Sequence, residues 1–245
     1  MLPILSIGPL SLPASPLILL LGIWAGTWLM SRRVNSLGRS PEMLDQILWT
    51  SLAAGLIGAR LSFIIRNPWA FKDQVLSIFS LNPALLDLLG GTLIALAAVL
   101  YLVSKNQLDI RRTLDDFVPF LAVLAPALYL AAFASGDGFG SITDLPWGVN
   151  LWGAARHPVQ LYYLIGGLAV LALVLTNALR RFQIPGSLFA LFLILTTGYL
   201  TVLSSFQEPV NQLILRLRPF QLGCWAVFTL AVIFYPAPKQ DTSDE

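Results

Sequence analysis

Seven apolar runs organise the chain, at residues 12–30, 43–65, 84–103, 117–134, 161–179, 184–205 and 220–235. Most approach the ~20 residues that a helix needs to cross the hydrocarbon of a bilayer. They lack the period-two alternation of a barrel strand, and a backbone surrounded by lipid has to satisfy its own hydrogen bonds, so the pattern predicts helices. The last run is the shortest. No basic segment precedes the first run and no small-residue cleavage site closes it, which predicts a retained helix.

The polar residues between the runs carry the topology. Arg32, Arg33, Arg39, Lys105, Arg111, Arg112, Arg180, Arg181 and Lys239 all follow odd-numbered runs, and an excess of basic residues marks the cytoplasmic side. The expectation is an all-α, polytopic membrane protein of about seven transmembrane helices, with its N-terminus outside and its C-terminus cytoplasmic. Residues 1–235 form a single helical domain in this reading, and 236–245, with their polar, acidic end, a disordered cytoplasmic tail. Segment 67–82 sets Trp69, Phe71, Val75, Leu76, Ile78 and Phe79 among polar residues. That suits an amphipathic stretch in the outer headgroup layer, or a loop with aromatic anchors. Glycine-rich segment 135–156, with Asp137, Asp144, Trp147 and Trp152, is expected to form a small outside cap.

Composition supports this solvent assignment. With 56% hydrophobic and 11% charged residues, the chain has too little polar surface to cover a water-soluble globule of 245 residues. The lone cysteine, Cys224, excludes an intramolecular disulfide, and with a single histidine no Cys/His zinc site can assemble. No metal or other cofactor is expected. A net charge of +2 spread along the loops speaks for topology and against a nucleic-acid partner.

The stretch Arg156-His157-Pro158-Val159-Gln160-Leu161-Tyr162 sets that histidine and an arginine at the mouth of the fifth run. It resembles the Arg-His-Pro-Ser-Gln-Leu-Tyr-Glu run of prolipoprotein diacylglyceryl transferases, bacterial membrane enzymes that move a diacylglyceryl group from phosphatidylglycerol to a lipoprotein cysteine. The resemblance covers nearly the whole chain. Leu5-Ser6-Ile7-Gly8-Pro9 matches the family's opening, and Arg32 and Arg33 close the first run at the matching distance. Gly55-Leu56-Ile57-Gly58-Ala59-Arg60 looks like the family's Gly-Gly-Arg turn, Arg66-Asn67 falls where the family leaves the membrane, and Asp116-Phe117-Val118-Pro119 is similar to its Asp-Phe-Ile-Ala-Pro. The resemblance implies residence in the bacterial cytoplasmic (inner) membrane, with phosphatidylglycerol or another anionic phospholipid as the bound lipid. For an active member it also implies a lipoprotein precursor as second substrate.

The departures fall on the chemistry. Leu89 stands where the family places a histidine before a glycine pair, here Gly90-Gly91. In the signature that falls on 128–140, Tyr129 replaces an arginine, Ala132 and Ser135 the two asparagines, and Asp137 a glutamate. Leu200 and Ser204 take the places of an arginine and a glutamate in the sixth run. Thiol attack on a glyceryl carbon needs a means of making thiolate and cations for the departing glycerol phosphate, and general-base assistance alone is worth ~10²–10⁴-fold. The resemblance therefore implies a catalytically degenerate member that binds anionic phospholipid and acts as an accessory or scaffold subunit beside partner membrane proteins. The alternative is an active transferase of altered chemistry, using His157, Arg156 and Asp137.

Each singled-out residue has a functional and a plain reading. Arg60 binds a lipid phosphate or snorkels to the outer interface. Arg156 and His157 hold a phosphate or trade protons, or His157 is a structural cap at a helix start beside proline. Asp137 orients a glycerol hydroxyl, pairs with Arg60 or Arg156, or is a turn residue. Asp87 is a remote substitute for the missing base. Gln160, Tyr162, Gly90 and Gly91 complete the lipid-binding candidates. Like Gly22, Gly26, Gly55, Gly58, Gly166 and Gly167, the glycine pair needs no ligand if it serves close helix packing.

Overall fold

In a computed structural model the described residues are 4–7, 10–72, 77–78, 85–151, 153–176, 184–207 and 218–236. The expected disorder of 237–245 lies outside them, as do Val75, Leu76, Phe79, Trp152, Arg180, Arg181 and Lys239.

Seven α-helices are described: α1 (Ala14–Ser36), α2 (Glu42–Arg66), α3 (Leu88–Lys105), α4 (Ile110–Ser135), α5 (Val159–Leu175), α6 (Ser187–Leu203) and α7 (Pro219–Ile233). Five of them are long and apolar enough to cross a membrane, α6 together with the 3-10 turn that extends it. Helices α5 and α7, of 17 and 15 residues, rise about 25 and about 22 Å at ~1.5 Å per residue, short of a hydrocarbon core of ~30 Å. Two antiparallel hairpins add polar-end structure that hydropathy does not announce. They pair β1 (Ile4–Ile7) with β2 (Leu10–Pro13), and β3 (Val149–Leu151) with β4 (Ala154–Arg156). After α2, Pro68–Phe71 forms a single 3-10 turn.

The chain divides into two compact units, Val34–Thr113 and Met1–Arg33 with Leu114–Glu245. In the Val34–Thr113 unit, α2 and α3 meet along a seam of small residues. A Cβ added to Gly91 would lie 2.7 Å from the Ala59 Cβ and 2.8 Å from the Gly55 carbonyl oxygen, and one on Gly58 would lie 2.7 Å from Ile94. Small residues let helix backbones approach this closely in lipid, where dispersion contacts replace the hydrophobic effect. The other unit uses the same device. Gly22 abuts Ala127 and Gly26 abuts Phe120, joining α1 to α4, while Gly167 abuts Pro126 and Gly166 the ring of Tyr199, joining α5 to α4 and α6. Val118, Ala122, Val170, Val174, Leu188 and Phe192 form the buried core where these last three helices pack.

Asp115 of α4 fixes where α6 begins. Its carboxylate accepts the backbone N–H groups of Gly186 at 2.7 Å and Phe189 at 2.8 Å. Those donors have no partner within their own helix, and a carboxylate also suits the positive end of the helix dipole. Gly186 has φ +89°, a left-handed conformation that glycine takes without a steric penalty.

Candidate functional site

The connection between α4 and α5 places most of the sequence-derived candidates together. Residues 140–143 run between β4 and the end of α6: Gly140 N–H donates to the His157 carbonyl, His157 N–H to Ser141, Thr143 N–H to Ala155, and Ser141 N–H to Phe206. This ladder delivers Arg156 and His157 to the start of α5. The position before that helix is Pro158, and no side chain caps it. His157 is therefore not the cap expected of it, because its imidazole turns towards Tyr162 instead. Nδ1 lies 3.1 Å from the Tyr162 hydroxyl, which also receives the Trp147 indole N–H at 2.8 Å. Phe206 packs against both rings, with centroids 5.2 Å from His157 and 5.9 Å from Tyr162.

Arg156 donates to the Gly140 carbonyl at 3.4 Å. Buried Gln160 donates to the Asp137 carbonyl at 2.6 Å, and the Asp137 carboxylate accepts the Ser135 hydroxyl at 2.7 Å. Arg156 and His157 thus share Gly140, and His157 pairs with Tyr162, while Gln160 and Asp137 form a second bonded pair nearby in sequence. Tyr162 also lines an open apolar groove of about 520 Å³ between α5 and α6, together with Ile165, Gly166, Gly198, Tyr199, Val202 and Leu203. Tyr162 belongs to both the polar cluster and the apolar groove.

The candidates of α2 and α3 are engaged within their own unit. Arg60 donates through Nε to the Ile78 carbonyl at 2.8 Å, through Nη1 to Leu85 at 2.9 Å and through Nη2 to Ser77, and its guanidinium lies 5.5 Å from the centroid of the Phe71 ring. Asp87 is the N-cap of α3, accepting the Leu89 N–H at 3.2 Å. It also accepts the Ser62 hydroxyl at 2.5 Å and lies 3.2 Å from Arg66 Nε. The Ser62 hydroxyl, with the Gly90 N–H, the Arg66 charge and the Leu89 N–H, holds its carboxyl below the usual carboxylate range. As found, Asp87 is committed to capping α3 and to Ser62 and Arg66. Gly90 abuts Ser62 and Gly91 abuts Ala59, and Leu89 is 57% exposed in the first turn of α3.

Inside the other unit the Tyr129 and Tyr163 rings stack, 4.7 Å between centroids and 22° between planes. Tyr163 is 3% exposed, and its hydroxyl and that of Tyr199 are buried with no hydrogen-bond partner among the described residues. Sequence reasoning missed Tyr163, although it directly follows Tyr162 at the end of the Arg156–Tyr162 motif. The motif that closes on glutamate in the resembling family closes here on Tyr163. Two positions of arginine and glutamate in that pattern therefore carry two phenols in contact. Arg218 is a second residue whose role the sequence does not reveal. It donates to the carbonyls of Ser204 at 2.6 Å and Gln207 at 2.7 Å, holding the start of α7 to the end of α6.

Comparison with known proteins agrees with the motifs. The family described as prolipoprotein diacylglyceryl transferase matches residues 3–236. The chain is 28% identical over 224 residues to the phosphatidylglycerol–prolipoprotein diacylglyceryl transferase of Pseudoalteromonas atlantica, covering 90% of this chain and 80% of that one. It is 29% identical over 223 residues to the enzyme of that name from Vibrio parahaemolyticus (86% and 79% covered) and 29% over 215 residues to that of Geobacter sulfurreducens (84% and 82%).

Proposed function

This chain belongs to the prolipoprotein diacylglyceryl transferase family, and from that membership we propose that it binds an anionic phospholipid in the bacterial cytoplasmic membrane without transferring the lipid's diacylglyceryl group. It serves a larger membrane assembly as an accessory or scaffold subunit. In this reading all seven helices cross the bilayer, with the N-terminus outside and the C-terminus cytoplasmic.

The observation that carries the proposal is the Tyr129–Tyr163 stack. Transfer needs charge where glycerol phosphate departs, and losing one preorganised donor of this kind typically costs ~10²–10³-fold in rate. A pair of phenols supplies neither a fixed cation nor, near neutral pH, a base. Leu89 and Leu200 remove further ionisable groups from family positions, so the losses fall together on acid–base and electrostatic roles.

Lipid binding makes weaker demands than transfer. The headgroup seats at Arg156, His157, Gln160 and Tyr162, and a chain follows the apolar groove below Tyr162. Within the Val34–Thr113 unit, Arg60 keeps N–H groups beyond its three carbonyl bonds for a lipid phosphate of its own, since a guanidinium has five donors. The test is lipid extracted from the purified protein. Phosphatidylglycerol enriched over the surrounding membrane, and lost in an Arg156→Ala, His157→Ala variant that still folds, is expected. Protein free of anionic lipid contradicts the binding. Protein that purifies alone from its native membrane contradicts the subunit role.

A further inference from the structure

His157, Tyr162 and Trp147 form a chain of hydrogen bonds whose direction can be read from donor counts alone. The Trp147 indole N–H reaches the Tyr162 oxygen at 2.8 Å, and that oxygen lies 3.1 Å from His157 Nδ1. An indole nitrogen only donates. If Nδ1 also donated, the phenol proton would need a third partner, and no other described residue bonds the Tyr162 hydroxyl. With Tyr162 donating to Nδ1, every group in the chain is satisfied.

We infer that Trp147 is a positioning residue which, through Tyr162, holds His157 as the neutral tautomer protonated at Nε2, so that the site presents Nε2–H as a donor to an oxygen of a phosphodiester headgroup. No described residue bonds Nε2. Aromatic rings and a bonded backbone surround the imidazole. Its backbone N–H is bonded to Ser141 and its carbonyl to Gly140, while Phe206 and Tyr162 pack against the ring. Trp147 is 57% exposed and comes from the α4–α5 connection, outside the apolar runs, yet it sets the polarity of the imidazole. A histidine so arranged donates to a lipid oxygen and does not deprotonate a thiol through Nε2. This deepens the lipid-binding reading and rests on it for the ligand, but not for the tautomer.

His157 is the single histidine of the chain, so the full-length protein labelled with ¹⁵N-histidine in maltoside micelles gives one pair of ring nitrogens. Wild type is expected to show a protonated Nε2 and an unprotonated, hydrogen-bonded Nδ1. Trp147→Phe and Tyr162→Phe should each move the ring towards a mixture of tautomers. Wild type protonated at Nδ1, evenly mixed, or unmoved by both substitutions overturns the relay. Copurified lipid is first removed by detergent exchange, and phosphatidylglycerol, dioleoylglycerol and inorganic phosphate are then added separately. A shift at Nε2 with phosphatidylglycerol alone is expected. An equal shift with inorganic phosphate overturns the lipid as the source, and an equal shift with dioleoylglycerol overturns the phosphodiester as the group bound. No shift with any of them, with the tautomer intact, overturns the headgroup contact and leaves the relay standing.

Discussion

Tyr163 shows how much one side chain decides. Its ring stacks on Tyr129 while its hydroxyl stays buried and unpartnered among the described residues, and an unsatisfied buried donor costs about 1–3 kcal/mol relative to one that is paired. Tyr163→Phe keeps the stack and removes the orphan, so thermal unfolding in detergent should show an unchanged or raised Tm, with a gain of up to ~1 kcal/mol. A clear loss of stability in that variant would mean that the hydroxyl has a partner in the folded protein. Tyr163→Ala should instead cost ~3–5 kcal/mol, as truncation of a buried aromatic does. At this scale the sequence was half legible. Tyr129 could be read as an exchange for arginine from its place in a motif, but its stacking partner sits on another helix. One sequence does not reveal contacts between helices.

At the scale of elements, two carboxylates far apart in sequence from what they hold set helix positions. Asp87 caps α3 and binds Ser62 and Arg66 of α2. The Ser62 hydroxyl holds its folded pKa below the ordinary carboxylate value, so its contribution is fully present above the unfolded value and is lost as pH falls through the lower, folded one. Unfolding followed across this acid limb should show declining stability, and Asp87→Asn should flatten the decline. Asp115→Ala should cost ~1–2 kcal/mol by leaving the first N–H groups of α6 unpaired. Gly91→Leu should cost at least ~1–3 kcal/mol, because it drives a side chain into Ala59 and the Gly55 carbonyl. Circular dichroism melts in detergent read both substitutions. The glycine seams were legible as packing devices, since small residues in apolar runs have few other uses. Asp115 was not legible, because its partners lie 71 and 74 residues further along the chain. Nor were the hairpins, whose few residues are too short for periodicity to register.

Over the whole molecule, hydropathy gave the existence of the helices, because a chain this apolar has few other ways to satisfy its backbone in lipid. Family membership was legible from the order and spacing of individually weak motifs, and the match over residues 3–236 shows it. What a string of residues did not convey was that Tyr162 joins His157 to an apolar groove of about 520 Å³, or that Trp147 bonds the Tyr162 hydroxyl. The proposed account separates two properties that an active transferase combines, a seat for lipid and charges for transfer, and keeps only the first. The most direct measurement is diacylglyceryl transfer from phosphatidylglycerol to a lipobox cysteine peptide by the purified full-length protein, beside an active transferase under the same conditions. The account predicts no turnover above the enzyme-free control, with phosphatidylglycerol still bound to the protein. Sustained turnover that is abolished by His157→Ala or Arg156→Ala would contradict it and make the chain an active transferase of altered chemistry.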